Sequence, residues 1–171
     1  MVKWLAAAAL VASVLVLPAA AAVPRLVTGV SIGGVGLGWK QAAYTHAIGE
    51  KPTLIRLPGG QTKLVFSKAE LTVTLGRSGR GRAVETNAHE YTTRHGAHPC
   101  GPVQAVVREF GASLKTIRQP TTRSVIALRA GNLTFSLYAS GRIGSIMLAV
   151  PSVPATVAAN SAPCGSGEES D

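Results

Sequence analysis

The segment LTVTL at Leu71–Leu75 indicates the fold most clearly, because it recurs 62 residues later as LTFSL at Leu133–Leu137. In both segments apolar side chains alternate with threonine or serine, a period of two that is typical of strands with one buried face. An ungapped comparison of residues 48–86 with 110–148 contains ten identities in 39 pairs. The pattern predicts an internal duplication, in which residue n and residue n + 62 occupy equivalent positions.

A short helix is expected before each strand-rich segment, near 39–48 in the first unit and near 101–110 in the second. In the second unit four apolar residues recur at helical spacing and are expected to share one buried face: Val103, Val106, Val107 and Phe110. In the first unit the residues expected to be buried are Trp39, Ala43, Ala47 and Ile48. Gly49 and Gly111 follow the two segments and favour helix termination.

About four antiparallel strands are expected after each helix, with each sheet burying one face. Gly131-Asn132 marks a turn between strands expected at 123–129 and 132–138, and Gly79 and Gly141 mark the next turns. Such a meander needs no crossover helix, so a parallel doubly wound sheet is disfavoured. The predicted fold class is α+β, with two tandem repeats of a helix and a four-stranded meander.

The N-terminus, residues 1–22, is expected to be a signal peptide. Lys3 precedes an apolar stretch that is too short to span a membrane, and the small residues Ala19–Ala22 favour cleavage after Ala22. The alternative is an uncleaved N-terminal anchor. The mature chain is therefore expected to be secreted or extracytoplasmic, without a membrane span.

The rest of the 171 residues divides into four predicted segments. The first repeat is expected at 23–88 and the second at 101–150, with an inter-repeat linker at 89–100. Residues 151–171 are rich in Pro, Ala, Ser and Gly, a composition that predicts a flexible tail with an acidic end.

Basic residues outnumber acidic ones by 17 to 8, which gives a net charge of +9. A surface of this kind attracts acidic proteins or envelope polymers, although the charge also serves solubility alone. Nucleic acid is disfavoured as a partner, because three Phe, two Trp and three Tyr offer few stacking platforms. The oligomeric state is left open.

Four arginines are candidate binding residues because the duplication pairs them. Arg56 is equivalent to Arg118, and Arg80 is equivalent to Arg142. A guanidinium binds carboxylates and phosphates through its planar fork. The alternative is that all four are ordinary solvated strand and turn residues.

Three histidines form the candidate metal site: His89, His95 and His98, with Glu90 and Cys100 nearby. Imidazole, carboxylate and thiolate all bind zinc or copper. The spacing does not match H-E-x-x-H, so a solvated linker is the favoured interpretation.

The two cysteines, Cys100 and Cys164, are expected to form a disulfide in an oxidising compartment. This bond would attach the C-terminal tail to the second repeat. Intermolecular pairing and free thiols are the alternatives.

Catalytic machinery is scarce. Between residues 23 and 167 there are five glutamates and no aspartate. Ser78 in GRSGRG lacks the last glycine of a nucleophile elbow and recurs at Ser140, which favours a repeated turn. The run GGVGLGW at 33–39 lacks the full G-x-G-x-x-G spacing, so a flexible lead to the helix is favoured over a phosphate loop. No enzyme activity and no cofactor are expected.

The motif GVGLGW, the following helix ending at Gly49 and the antiparallel meander resemble the unit of the SmpA/OmlA (BamE-like) and β-lactamase-inhibitor-protein-like superfamily. The resemblance covers approximately residues 29–149. It implies a small exported α+β protein that binds other proteins, and the inhibitor branch carries the unit twice in tandem. The chain departs from that branch in its few cysteines, and from the lipoprotein branch in lacking a lipobox cysteine.

These observations together predict a secreted, non-catalytic protein-binding module, possibly inhibitor-like in function, with a basic polar sheet face for an acidic protein or envelope polymer. A first alternative is an extracytoplasmic metal-binding or hydrolytic protein centred on 89–100. A second alternative is an envelope assembly factor.

Overall fold

The computed structural model describes residues 25–119, 124–153 and Cys164. The predicted signal peptide at 1–22 lies outside the described residues, as does most of the predicted tail. The described chain is a mixed α/β structure made mostly of strands, with two α-helices.

The elements of the first half follow one another with short connections. They are β1 (Leu26–Val27), β2 (Ser31–Ile32), β3 (Val35–Gly36), α1 (Gln41–Ile48), β4 (Thr53–Leu57), β5 (Gln61–Phe66), β6 (Leu71–Leu75) and β7 (Gly81–Thr86). The second half contains β8 (Thr92–Thr93), α2 (Val103–Phe110), β9 (Lys115–Arg118), β10 (Val125–Ala130), β11 (Leu133–Leu137) and β12 (Ile143–Ala149). Each helix is thus followed by four strands.

Eight of these strands form a single antiparallel sheet in the order β4-β5-β6-β7-β12-β11-β10-β9. The two groups of four strands meet where β7 pairs with β12, with Val84 opposite Leu148. The alternation in Leu71–Leu75 and Leu133–Leu137 correctly predicted β6 and β11. The strands expected at 123–129 and 132–138 are observed as β10 and β11, each shorter or shifted by one or two residues.

A second, four-stranded sheet has the order β3-β2-β1-β8. Gly33 and Gly34 have φ angles of 58° and 80° and turn β2 into β3, so the glycine-rich run is an ordered hairpin rather than a flexible lead. β8 belongs to the predicted linker and pairs in parallel with β1. A solvated linker is wrong for part of this segment, because Tyr91, Thr93 and Ala97 are buried.

The main core lies on one face of the large sheet, which we call the covered face. Apolar side chains of neighbouring strands meet there, including Leu64, Val73, Val84, Leu148, Leu133 and Phe135. Tyr44 and Ile48 of α1 and Val106 of α2 belong to the same core. The helices and the small sheet therefore share one continuous core with the covered face.

The buried faces of the helices differ from the prediction. In α1, Tyr44 and Ile48 are buried, whereas Ala43 and Ala47 are exposed. Residues in a helix are separated by about 100°, so burial of Tyr44 turns Ala43 towards solvent. In α2, Val106 is buried but Val107 is 51% exposed, which corrects its placement on the buried face.

The opposite face, which we call the second face, is buried in the middle of the sheet. Thr134 and Ser136 of β11 and Ser145 and Met147 of β12 are all buried, so the expectation of one buried face is wrong there. Met147 packs with small apolar neighbours, and the hydroxyls of Ser136 and Ser145 lie 2.9 Å apart. These hydrogen bonds satisfy the polar groups that burial removes from water.

Tyr44 connects α1 to the strands around it. Its side chain is fully buried, and its hydroxyl donates a hydrogen bond to the carbonyl oxygen of Gly36 at 2.6 Å. A Cβ atom added to Gly81 would lie 1.9 Å from that hydroxyl oxygen. The aromatic ring therefore occupies the space that Gly81 leaves.

We expect alkaline conditions to destabilise the fold through Tyr44. Burial raises the pKa of its hydroxyl to about 12 from its ordinary value near 10. Between these values the unfolded chain releases the proton and the folded chain retains it, so stability falls as pH rises from 10 to 12. Between pH 9 and pH 11 this linkage lowers the free energy of unfolding by about 1.3 kcal/mol. Urea unfolding at pH 9 and at pH 11 measures it, and Tyr44→Phe removes this part of the loss. An identical loss in Tyr44→Phe contradicts the assignment.

Candidate functional site

Two turns at one end of the large sheet form an open pocket of about 490 Å³, which we call the arginine pocket. Its lining residues come from the β4–β5 turn, from the start of β5, from the β6–β7 turn and from the start of β7. They are Gly59, Gln61, Gly76, Arg77, Ser78 and Arg82. Since β4, β5, β6 and β7 are consecutive neighbours in an antiparallel sheet, both turns lie at the same end of the strands.

Backbone and hydroxyl groups hold the two guanidinium groups in place. Arg77 Nε donates to the carbonyl oxygen of Gly59 at 2.6 Å, and Arg82 Nη2 donates to Ser152 Oγ at 2.6 Å. A Cβ on Gly76 would lie 2.6 Å from Arg82 Cδ, so this glycine makes room for the arginine stem. Each of these bonds uses one donor group of a side chain that has five N–H donors, which leaves donors for a ligand.

The positive charges of Arg77 and Arg82 are not balanced by an acidic residue in the lining of the pocket. No carboxylate lines it. Among the described residues, ion pairs join Arg25 and His89 to Glu90, and no ion pair involves Arg77 or Arg82. Two guanidinium groups, a primary amide and a hydroxyl form a donor set that suits an oxyanion such as a carboxylate or phosphate. Neither a histidine nor an acidic residue is among the described residues that line the pocket.

Polar and apolar side chains lie along the second face of β4, β5 and β6, and on β5 they follow Gln61 of the pocket. Cross-strand pairs place Ile55 beside Lys63, Lys63 beside Thr74, and Val65 beside Thr72. These five side chains are exposed or half-buried, and we call them the open face. The open face contains one cation and no acid.

Arg80 and Arg142 each donate a hydrogen bond to a backbone carbonyl of a distant segment. Arg80 Nη1 donates to the carbonyl oxygen of Gly38 at 3.0 Å, and Arg142 Nη1 donates to that of Cys100 at 3.2 Å. Each bond attaches a hairpin to the segment that leads into a helix. Both side chains keep further donors, but neither lines the arginine pocket.

Arg56 and Arg118 are not brought together. Arg56 lies on β4 and Arg118 on β9, the two opposite edge strands of the large sheet. Seven strand spacings separate them, about 34 Å. The four predicted arginines therefore do not form one site.

The histidine segment does not assemble into a metal centre. Within residues 25–119, 124–153 and 164, no three His, Cys, Asp or Glu side chains are grouped to hold a metal ion. His89 and His95 are exposed, and His98 Nδ1 lies 2.8 Å from the carbonyl oxygen of Pro99. Cys100 is bonded to Cys164, so it offers no thiolate.

The predicted Cys100–Cys164 disulfide is confirmed, with the two Cα atoms 5.4 Å apart. Such a bond is compatible with an extracytoplasmic location. Among the helices of the described residues, none has the length and apolar character required to cross a membrane.

The structure is a strand-rich α+β fold with a pocket lined by two arginines at one end of the large sheet. No protein-family model, curated protein or solved structure matches the chain. Its function is therefore argued from the site itself.

Proposed function

We propose that this protein is a non-catalytic binding module that acts outside the cytoplasm and holds an acidic partner. The observation that carries the proposal is the arginine pocket, where Arg77 and Arg82 face a cavity of about 490 Å³ without a carboxylate. The net charge of +9 adds long-range attraction for the same class of partner. The open face provides a polar surface beside the pocket.

We also infer that the chain consists of two tandem units related by 62 positions. Both helices have eight residues and begin 62 residues apart. The hydrogen bonds from Arg80 to Gly38 and from Arg142 to Cys100 are related by the same offset of 62 positions. The ladder shifts register at Thr74/Leu75 in β6 and at Ser136/Leu137 in β11, again at the same offset.

Backbone conformation and side-chain volume support the same offset. Gly38 has a φ angle of 82°, and Cys100, at the equivalent position, has the left-handed value of 67° that non-glycine residues seldom adopt. The equivalents of Tyr44 and Gly81 are Val106 and Ile143, all buried. A large and a minimal residue in one unit thus correspond to two medium-sized residues in the other. The duplication also supports the proposed likeness to the tandem, inhibitor-like branch of the BamE-like superfamily.

Binding of poly-L-glutamate to the full oxidised chain tests the function, with calorimetry as the measurement. Arg77→Gln/Arg82→Gln is expected to weaken binding about tenfold or more, because two convergent guanidinium groups are lost. The matched control Arg94→Gln/Arg108→Gln removes the same charge from exposed positions outside the pocket. We expect the control to weaken binding only about twofold, through net charge. Equal losses in both variants, or no binding at all, would overturn the proposal.

A further inference from the structure

The outer edge of β4 is exposed along most of its length. β4 ends the eight-stranded sheet, and residues 53–56 are all exposed. Leu54 is 53% exposed and Ile55 is 45% exposed, on opposite faces of the strand. An edge strand presents unpaired N–H and C=O groups that another extended chain can pair with.

The other edge strand, β9, is protected in ways that β4 is not. β9 has a cation at each end, Lys115 and Arg118, and its ladder with β10 shifts register between Val125 and Ala127. Charges and irregularities of this kind discourage strand addition. β4 pairs with β5 through five consecutive residues without a register shift. β4 is thus the more regular and the more apolar edge.

The charge around β4 indicates the chemistry of its occupant. β4 and β5 carry Arg56 and Lys63 and no acidic residue. The turn between β4 and β5 provides Gly59 to the arginine pocket, and the first residue of β5 provides Gln61. A second copy of this basic chain would bring like charges together, whereas an acidic segment would pair with them.

We propose that β4 accepts an extended acidic segment of a partner protein as an additional strand of the sheet. Backbone hydrogen bonds to β4 supply affinity, as in other cases of strand addition. Apolar side chains of the segment lie beside Leu54 and Ile55, and an acidic side chain lies beside Arg56. This inference rests on the proposed function and names the form in which the acidic partner is bound.

Two peptides of equal charge provide the test: Thr-Glu-Val-Ile-Glu-Val-Thr, and the same peptide with proline in place of isoleucine. Proline removes a backbone donor and disfavours a paired strand. With the full oxidised chain we expect the isoleucine peptide to bind about tenfold more tightly and to slow hydrogen exchange at outward amides of β4. Leu54→Ala/Ile55→Ala should weaken that binding, whereas Val107→Ala, which removes an exposed valine from α2, should not.

Three results would overturn strand addition. Equal binding of both peptides, with weakening in Arg77→Gln/Arg82→Gln, leaves the proposed function standing and removes β4 from it. Binding of polyphosphate but of neither peptide assigns the site to an anionic polymer. Slow exchange at β4 without peptide, together with dimers in sedimentation, assigns the edge to a second copy. If poly-L-glutamate also fails to bind, the proposed function falls as well.

Discussion

Gly81→Ala is expected to lower the free energy of unfolding by about 3 kcal/mol or more. The added Cβ would lie 1.9 Å from Tyr44 Oη and 2.7 Å from Cζ, and both atoms belong to a rigid, fully buried side chain. Relief requires α1 to move away from β7, which breaks the bond between Tyr44 and Gly36. Chemical denaturation followed by circular dichroism measures the loss.

Two companion variants make this result specific. Gly29→Ala is the control, because an added Cβ there meets nothing within 4 Å, and we expect less than about 1 kcal/mol. The double variant Tyr44→Val/Gly81→Ile introduces the residue types found at the equivalent positions, Val106 and Ile143. It should be more stable than Gly81→Ile alone. A double variant that is no better than Gly81→Ile contradicts the equivalence of Tyr44 and Gly81 with Val106 and Ile143.

Removal of the disulfide by Cys100→Ser/Cys164→Ser is expected to cost up to about 4 kcal/mol, since the bond closes a long loop in the unfolded chain. The two residues are 64 positions apart. Thermal unfolding of the oxidised and variant chains measures the difference. An unchanged midpoint would contradict a structural role for the bond.

A second variant separates the bond from the backbone at Cys100. This residue has a positive φ of 67°, which glycine adopts without strain. Cys100→Gly/Cys164→Ser should therefore be more stable than the double serine variant, by about 1 kcal/mol. The opposite order would contradict the conformational equivalence of Cys100 and Gly38.

Local pattern predicted the positions of both the strands and the two helices, but it did not predict which sides of the helices are buried. Alternation in Leu71–Leu75 and in Leu133–Leu137 is strong because each strand has one apolar side, whichever neighbours it acquires. The buried side of α1 was missed because alanines carry little signal and the decisive contact joins Tyr44 to Gly81, 37 positions away in the sequence. Such a contact becomes visible only when the strands are placed in three dimensions.

The internal repeat does not point to the residues of the arginine pocket. The sequence repeat indicated Arg80 and Arg142 as candidate binding residues. In the structure each of them donates a hydrogen bond that holds its own hairpin in place. The pocket residues Arg77 and Arg82 correspond to Ala139 and Gly144, so they break the repeat. The available signal was the run GRSGRGR at 76–82, three cations without an acid. Under the proposed duplication, residues shared by the two units maintain the fold, and residues present in one unit alone are free to take a separate role.

A nuclear magnetic resonance titration of the oxidised, ¹⁵N-labelled chain with poly-L-glutamate tests directly whether the arginine pocket binds an acidic polymer. We predict that amide shifts concentrate at residues 59–61 and 76–82 and that the Nε–H signals of Arg77 and Arg82 move with them. Shifts that leave these residues unchanged, or that centre instead on Arg94 and Arg108, would contradict the assignment of binding to the arginine pocket.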